Sequence, residues 1–305
     1  MSTQYPDQPV GASQLGEETR KTIPEIASVQ AGYPLPIQEG FIAVNRMQMH
    51  YVEAGNGEPL LLLHGGTQSV NGLWAGHLWS WATHFPFFAE HFRVIAPDAR
   101  GHGQTINPTG ELSYPLLADD LHAFIHVLGL KRPFVCGFSD GGVTAALLEI
   151  RHPGSARALV NDAGFDLVTP EVEQELPPSR TTQPDIDYFV RMFTEVAGPD
   201  WFRLFQQDYD SAQGSGYWHT YLTQAPSLWN TSCGYRDEDF RKIEVPTLIL
   251  VGDRDRFCSV ESASVAYRFL PYGELGILPN TGHALTPLVC TLALDFLLRN
   301  SRETG

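Results

Sequence analysis

Arg132-Pro133-Phe134-Val135-Cys136-Gly137-Phe138-Ser139-Asp140-Gly141, continuing into Gly142-Val143-Thr144-Ala145-Ala146-Leu147-Leu148-Glu149-Ile150, is the stretch that decides the architecture. Its first part is β-branched and aromatic, as a buried strand requires, and its last part has the small and aliphatic residues of a helix. Gly137 and Gly141 flank Ser139 between them. Lacking a Cβ, they let the chain turn tightly and let a neighbouring strand and helix approach, so the spacing predicts an exposed serine on a strained strand-to-helix turn. The five-residue pattern alone recurs on glycine-rich loops by chance; a strand before it and a helix after it give it weight.

Working outward, the same alternation repeats on both sides. Upstream, Phe41–Asn45 and Met47–Glu53 read as two strands around a short turn, the second with period-2 alternation, and Gly55-Asn56-Gly57 is expected to close that hairpin. Leu60–Leu63 is a continuous apolar run, expected of a strand buried on both faces of a parallel sheet, and it runs into His64-Gly65-Gly66-Thr67. A loop and helix are expected between Leu73 and Ala89. Phe92–Ala96 is the next strand, ending at Asp98-Ala99-Arg100-Gly101-His102-Gly103. Apolar residues at Leu117, Leu121, Phe124, Ile125 and Leu128 mark a helix closed by Gly129. His122 and His126 lie one turn apart on it, but no third ligand accompanies them, so a solvated or capping role is expected and no metal site.

Downstream, Ala158–Asn161 resumes as a strand, and then the alternation stops from about Phe165 to Ile243. Pro170, Pro177, Pro178 and Pro184 interrupt the chain there. An amphipathic helix carrying Ile186, Phe189, Val190 and Phe193 follows, then the aromatic clusters Trp201-Phe202-Leu204-Phe205 and Tyr217-Trp218-Tyr221-Leu222. These helices without strands read as an insertion over one edge of the sheet, most of its aromatics building its own small core and the rest lining an apolar pocket. Strands return at Thr247–Val251, ahead of Gly252-Asp253-Arg254-Asp255, and near Glu274–Leu278, ahead of Asn280-Thr281-Gly282-His283. Helices are expected at 260–269 and 287–298. Strand–helix alternation on this scale predicts an α/β fold with a mostly parallel twisted sheet and helices on both faces. The organisation expected is a tail over 1–38, partly disordered or wrapping the surface, a core formed by 39–164 and 244–305, and a helical insertion at 165–243. Each chemically suggestive residue follows the C-terminal end of a strand, where open α/β sheets bind ligands.

Composition excludes several partners. The chain has 305 residues and a formal charge of −15, which argues against nucleic acid and anionic membrane, both of which need a cationic surface. Cys136, Cys233, Cys258 and Cys290 are scattered, so buried free thiols are expected rather than disulfides or a zinc site. No basic, apolar leader and no apolar run of about 18 residues is present, so a cytoplasmic protein acting on a small molecule, as monomer or homodimer, is expected.

With these residues in view, the chain resembles the α/β-hydrolase superfamily over roughly residues 40 to 300. The G-x-S-D-G-G run is similar to that of valacyclovir-hydrolase-like esterases. The resemblance implies a helical cap over 165–243 and Ser139 as nucleophile, with His283 as general base and Asp255 as the orienting acid. It leaves Asp253 to a capping or loop-binding role and Asp162 or Asp166 as minority candidates for the acid. A serine hydroxyl needs such a base, and the base needs an orienting group. His64 and His102 are expected to be structural. Backbone N–H groups of Asp140 and of Gly66 or Thr67 are implied as the oxyanion hole, and Asp140, Thr67, Phe138 and Trp218 as residues touching substrate. The Asp140 side chain has two readings: it receives a substrate amino group, or it caps the helix it begins. The implied activity is cofactor-independent hydrolysis of small to medium apolar esters or lactones. Amino-acid esters, amides, C–C bond hydrolysis, perhydrolysis and a weakly catalytic ligand receptor remain as alternatives on the same triad.

Overall fold

The computed structural model describes residues 36–70, 81, 84–164, 186–229, 233 and 235–301. Almost all of the tail expected over 1–38 lies outside these residues, as do Asp166, Pro170, Pro177, Pro178, Pro184 and most of the loop expected after Leu73. The chain joins the sheet earlier than periodicity suggests, because Ile37 is already buried and β1 begins at Gln38.

Eight strands form one sheet in the order β1-β2-β4-β3-β5-β6-β7-β8. They are β1 (Gln38–Val44), β2 (Met47–Ala54), β3 (Pro59–Leu63), β4 (Arg93–Pro97), β5 (Phe134–Phe138), β6 (Leu159–Asp162), β7 (Thr247–Gly252) and β8 (Gly273–Leu278). β1 and β2 pair antiparallel, as do β2 and β4, and every other pairing is parallel. The first hairpin turns at Asn45-Arg46, both at positive φ, whereas Gly55 and Gly57 lead from β2 into β3. The alternation read in Met47–Glu53 does not hold: β2 is buried along nearly its whole length, because it lies between β1 and β4 and is covered on both faces.

Ahead of the segment between β6 and β7, three of the described helices pack on the sheet or on one another. The short α1 (Phe85–Ala89) contacts β4; α2 (Tyr114–Val127) runs beside α3 (Asp140–Arg151), which packs on β5 and β6. Ser113 caps α2, its hydroxyl accepting from the Leu116 N–H, and Gly129 follows the helix at φ 64°. His122 stacks on His152 with ring centroids 4.0 Å apart and bonds to Ser155. Between β6 and β7 the described residues hold only helices: α4 (Ile186–Ala197), α5 (Trp201–Gln213), α6 (Tyr217–Gln224), α7 (Pro226–Trp229) and a 3₁₀ turn at Asp237–Lys242. α8 (Val260–Phe269) and α9 (Pro287–Ser301) complete the core. All four cysteines are buried and none is in a disulfide. No helix among the described residues is long and apolar enough to cross a membrane.

One buried polar cluster ties the antiparallel edge to the loops past β3 and β4. His50 on β2 is fully buried, with Nδ1 2.6 Å from Asp98 Oδ2 and Nε2 2.7 Å from Glu39 Oε1. Asp98 also accepts from the Val70 and Gln104 N–H groups. Burial alone would lower the His50 pKa, but the bonds and charges of Asp98 and Glu39 outweigh it and raise it to about 9. A histidine whose folded pKa lies above its unfolded value stabilises fully below the unfolded value and loses that contribution as pH rises through the folded one. The melting temperature should therefore fall between about pH 6.5 and 9. His50→Gln should lower it at pH 6 and flatten the decline. An unchanged slope in that variant would assign the decline to other groups.

Candidate active site

β5 delivers Ser139 to the middle of the sheet's C-terminal rim. Ser139 has φ 53° and ψ −121°, an unfavourable conformation for a residue with a Cβ, held by the chain on both sides. Its N–H donates to the Asp162 carbonyl at 2.9 Å, and its carbonyl accepts from Gly142 and Val143 in the first turn of α3. The glycines are dictated by packing: a Cβ on Gly137 would overlap the Gly141 carbonyl, and one on Gly141 would overlap the Leu63 carbonyl. On the β3 side, a Cβ at Gly65 would stand 3.1 Å from the Ser139 Cβ. The loop after β3 and the serine turn are therefore in contact.

The loops past β7 and β8 meet beside this turn. His283 is buried, and its Nδ1 lies 2.8 Å from Asp255 Oδ2. The Asp255 side chain is fully shielded, and its other oxygen accepts from the Phe257 and Cys258 N–H groups at 2.8 and 2.9 Å. A carboxylate fixed in this way makes Nδ1 the donor and leaves Nε2 as the basic nitrogen. The His283 ring rests between Phe138, centroids 4.8 Å apart, and Phe257, 4.9 Å. Asp253 binds the same loop from outside, accepting from the Thr281 N–H at 3.1 Å. Asp162, at the end of β6, does not share the histidine's bond. Burial and then the nearby Asp255 charge push its carboxyl well up, and among the described residues its Oδ2 has no hydrogen-bond partner.

The other two histidines of the rim are occupied in holding loops. His64 donates from Nδ1 to the Gly65 carbonyl and accepts at Nε2 from Ala99 N–H, and burial lowers its pKa. His102 bonds the Arg100 carbonyl through Nδ1 and the Tyr221 hydroxyl through Nε2, and burial drives its pKa down to about 3.

Asp140 starts α3, so its N–H is one of the first-turn amides that the helix cannot satisfy. Its carboxylate does not cap the helix in the structure. Oδ1 accepts from the Tyr114 hydroxyl at 2.8 Å and Oδ2 from the Trp229 indole at 3.0 Å. Desolvation pushes this carboxyl up, and the two bonds offset part of the shift. The carboxylate and the indole lie over Gly66, where a Cβ would overlap Asp140 and come 3.1 Å from the Trp229 ring. The helices between β6 and β7 also bond to the loops below. Tyr221 Oη is 3.3 Å from the Gly66 carbonyl oxygen, Tyr217 donates to the Gly101 carbonyl and Ser69 to Asp208.

Of the residues expected to touch substrate, Thr67 is half-buried next to Gly66. Phe138 is fully buried and backs the His283 ring instead of lining open space. Trp218 is half-buried and packs on Phe202 and His219 within the helical segment. Trp229 does reach the rim, and no periodicity marks it because it ends a helix of four residues. Phe257 was also missed, although its place two residues after Asp255 was a usable signal.

Residues 60–289 match the family described as Alpha/beta hydrolase family. A 2-hydroxy-6-oxo-6-(2'-aminophenyl)hexa-2,4-dienoic acid hydrolase of Metapseudomonas resinovorans is 30% identical over 263 residues, covering 80% of this chain and 84% of the relative. A 2-hydroxy-6-oxo-2,4-heptadienoate hydrolase of Pseudomonas putida is 29% identical, covering 77% and 85%. Among solved structures, a serine hydrolase involved in carbazole degradation (CarC enzyme) superposes with a TM-score of 0.70 at 25% identity, covering 87% of this chain and all of that one. With the parallel sheet, the strained serine turn and a matching region spanning most of the core, the chain belongs to the alpha/beta hydrolase family.

Proposed function

We propose that the protein is a serine hydrolase that opens small to medium apolar esters or lactones through an acyl-enzyme. Ser139 Oγ attacks the carbonyl carbon while His283 Nε2 takes its proton. His283 then returns that proton to the leaving oxygen, and water repeats the sequence to release the acid. Asp255 holds the imidazole in the required tautomer and stabilises the cation that forms. The negative oxygen is received by the Asp140 N–H and by Gly66 or Thr67, donors of a kind worth about 3–4 kcal/mol each. The observation that carries the reading is the fully shielded Asp255–His283 pair beside the strained serine turn. Residues 165–243 act as a cap, a role supported by the bonds from Tyr217, Tyr221 and Trp229 to the rim loops.

The Asp140 bonds also bear on the amino-ester alternative suggested by the G-x-S-D-G-G run. Both carboxylate oxygens already serve Tyr114 and Trp229, which supports an apolar substrate over a cationic one. C–C bond hydrolysis is the second reading, favoured by the two dienoate-hydrolase relatives. Against it, the ionisable side chain directly after the nucleophile is an acid, which would repel a substrate carboxylate.

A fluorophosphonate probe should label Ser139 stoichiometrically, and p-nitrophenyl butyrate should give a burst followed by steady turnover. Labelling without turnover would identify a ligand-binding protein instead. Faster loss of a 2-hydroxy-6-oxo-dienoate than of any ester would select the second reading.

A further inference from the structure

The Asp140 side chain anchors an arc of aromatic rings that begins and ends in the proposed catalytic machinery. Trp229, held by Asp140 Oδ2, lies 5.2 Å from Phe189 and 5.4 Å from Phe193. Phe193 continues to Phe257 at 5.9 Å, and Phe257 meets the His283 ring edge-on at 4.9 Å. The arc thus runs from the residue after Ser139 to the histidine, across α7, α4 and the loop past β7. Three of its rings are incompletely covered, Phe257 at 36% exposed beside a buried histidine and Phe193 and Trp229 half-buried, whereas Phe189 is buried. Uncovered aromatic surface at a catalytic rim is surface that a ligand can cover. The arc presents aromatic rings, and the Asp140 carboxylate at its start is already engaged by the Tyr114 hydroxyl and the Trp229 indole.

We propose that Trp229, positioned by Asp140, and Phe257 are the specificity-determining residues of this site, and that its substrate carries a flat aromatic or conjugated group packed against them. This rests on the serine-hydrolase reading and adds the substrate class. A flat π-system stacks or meets edges with such rings, whereas a saturated ring of equal size gains only its area. Asp140 here is a positioning residue: it sets the indole through one hydrogen bond, with Tyr114 holding the other oxygen.

The test compares phenyl with cyclohexyl esters of matched size on both sides of the carbonyl: ethyl benzoate with ethyl cyclohexanecarboxylate, and phenyl acetate with cyclohexyl acetate. Hydrolysis is followed by proton release. Relative to the wild type, Trp229→Leu and Phe257→Leu should each lower the phenyl-to-cyclohexyl ratio of kcat/KM by about two- to tenfold for one pair. Asp140→Ala should lower the same ratio and add nothing further in the Trp229→Leu background, while Tyr114→Phe should move it much less. If Ser139 is labelled normally by the fluorophosphonate and the ratios of both leucine variants equal the wild type, the proposal is wrong and the hydrolase reading stands. If the wild-type serine is neither labelled nor needed for turnover, the hydrolase reading itself has failed.

Discussion

Ser139→Ala should lower kcat by about 10⁴- to 10⁶-fold on any ester the protein turns over, with the melting temperature little changed. The second half of that expectation comes from the backbone. Alanine keeps the Cβ, so the cost of φ 53° is the same in both proteins, and the Ser139 backbone bonds to Asp162, Gly142 and Val143 do not involve the hydroxyl. The residual rate should reflect binding and the backbone donors alone. Single-turnover kinetics with p-nitrophenyl butyrate, alongside fluorophosphonate labelling, measure the loss. A drop below tenfold would remove Ser139 as nucleophile.

Asp255→Asn should cost about 10³- to 10⁴-fold in kcat with a small change in KM. Asp255 accepts three hydrogen bonds, one from His283 Nδ1 and two from the Phe257 and Cys258 N–H groups. An asparagine oriented by those two N–H groups presents its amide to the histidine as a donor. Nδ1 must then accept, the proton moves to Nε2, and the imidazole can no longer take the serine proton. Asp162→Asn is the internal comparison. Burial, and then the nearby Asp255 charge, push its carboxyl well above its ordinary value. The uncharged isostere should leave kcat within a few-fold and, by removing a group whose folded pKa is raised above its unfolded value, stabilise the protein above the ordinary carboxylate pKa. A large kcat loss at Asp162 with a small one at Asp255 would reverse the assignment of the acid.

Local sequence carried the site's skeleton because each of its parts is punctuated by backbone chemistry. Gly137 and Gly141 mark a turn where a side chain would collide with a carbonyl, and Gly252-Asp253-Arg254-Asp255 and Thr281-Gly282-His283 mark chain reversals after apolar strands. The choice between Asp253, Asp255 and Asp162 was open to sequence reading only as a preference. The structure separates them by where each carboxylate points: to the Thr281 N–H, to His283, and into a pocket without a donor for Oδ2 among the described residues. The β2 error has a similar cause. A strand's own alternation does not reveal that neighbours cover both of its faces.

What the sequence determined by itself was the order of strands and helices, the serine turn and the residue types that follow each strand, since these depend on contacts within a few residues. Only the tertiary structure decided which tryptophan stands over Gly66, what the Asp140 carboxylate binds and how His50 is held between two acids. Those outcomes depend on the packing of segments far apart in the chain, here Trp229 against Asp140 and His50 against Asp98, and on the loss of water that packing brings. A helix of four residues has no periodicity to read, and a buried carboxylate takes its role from whichever donors the fold carries to it.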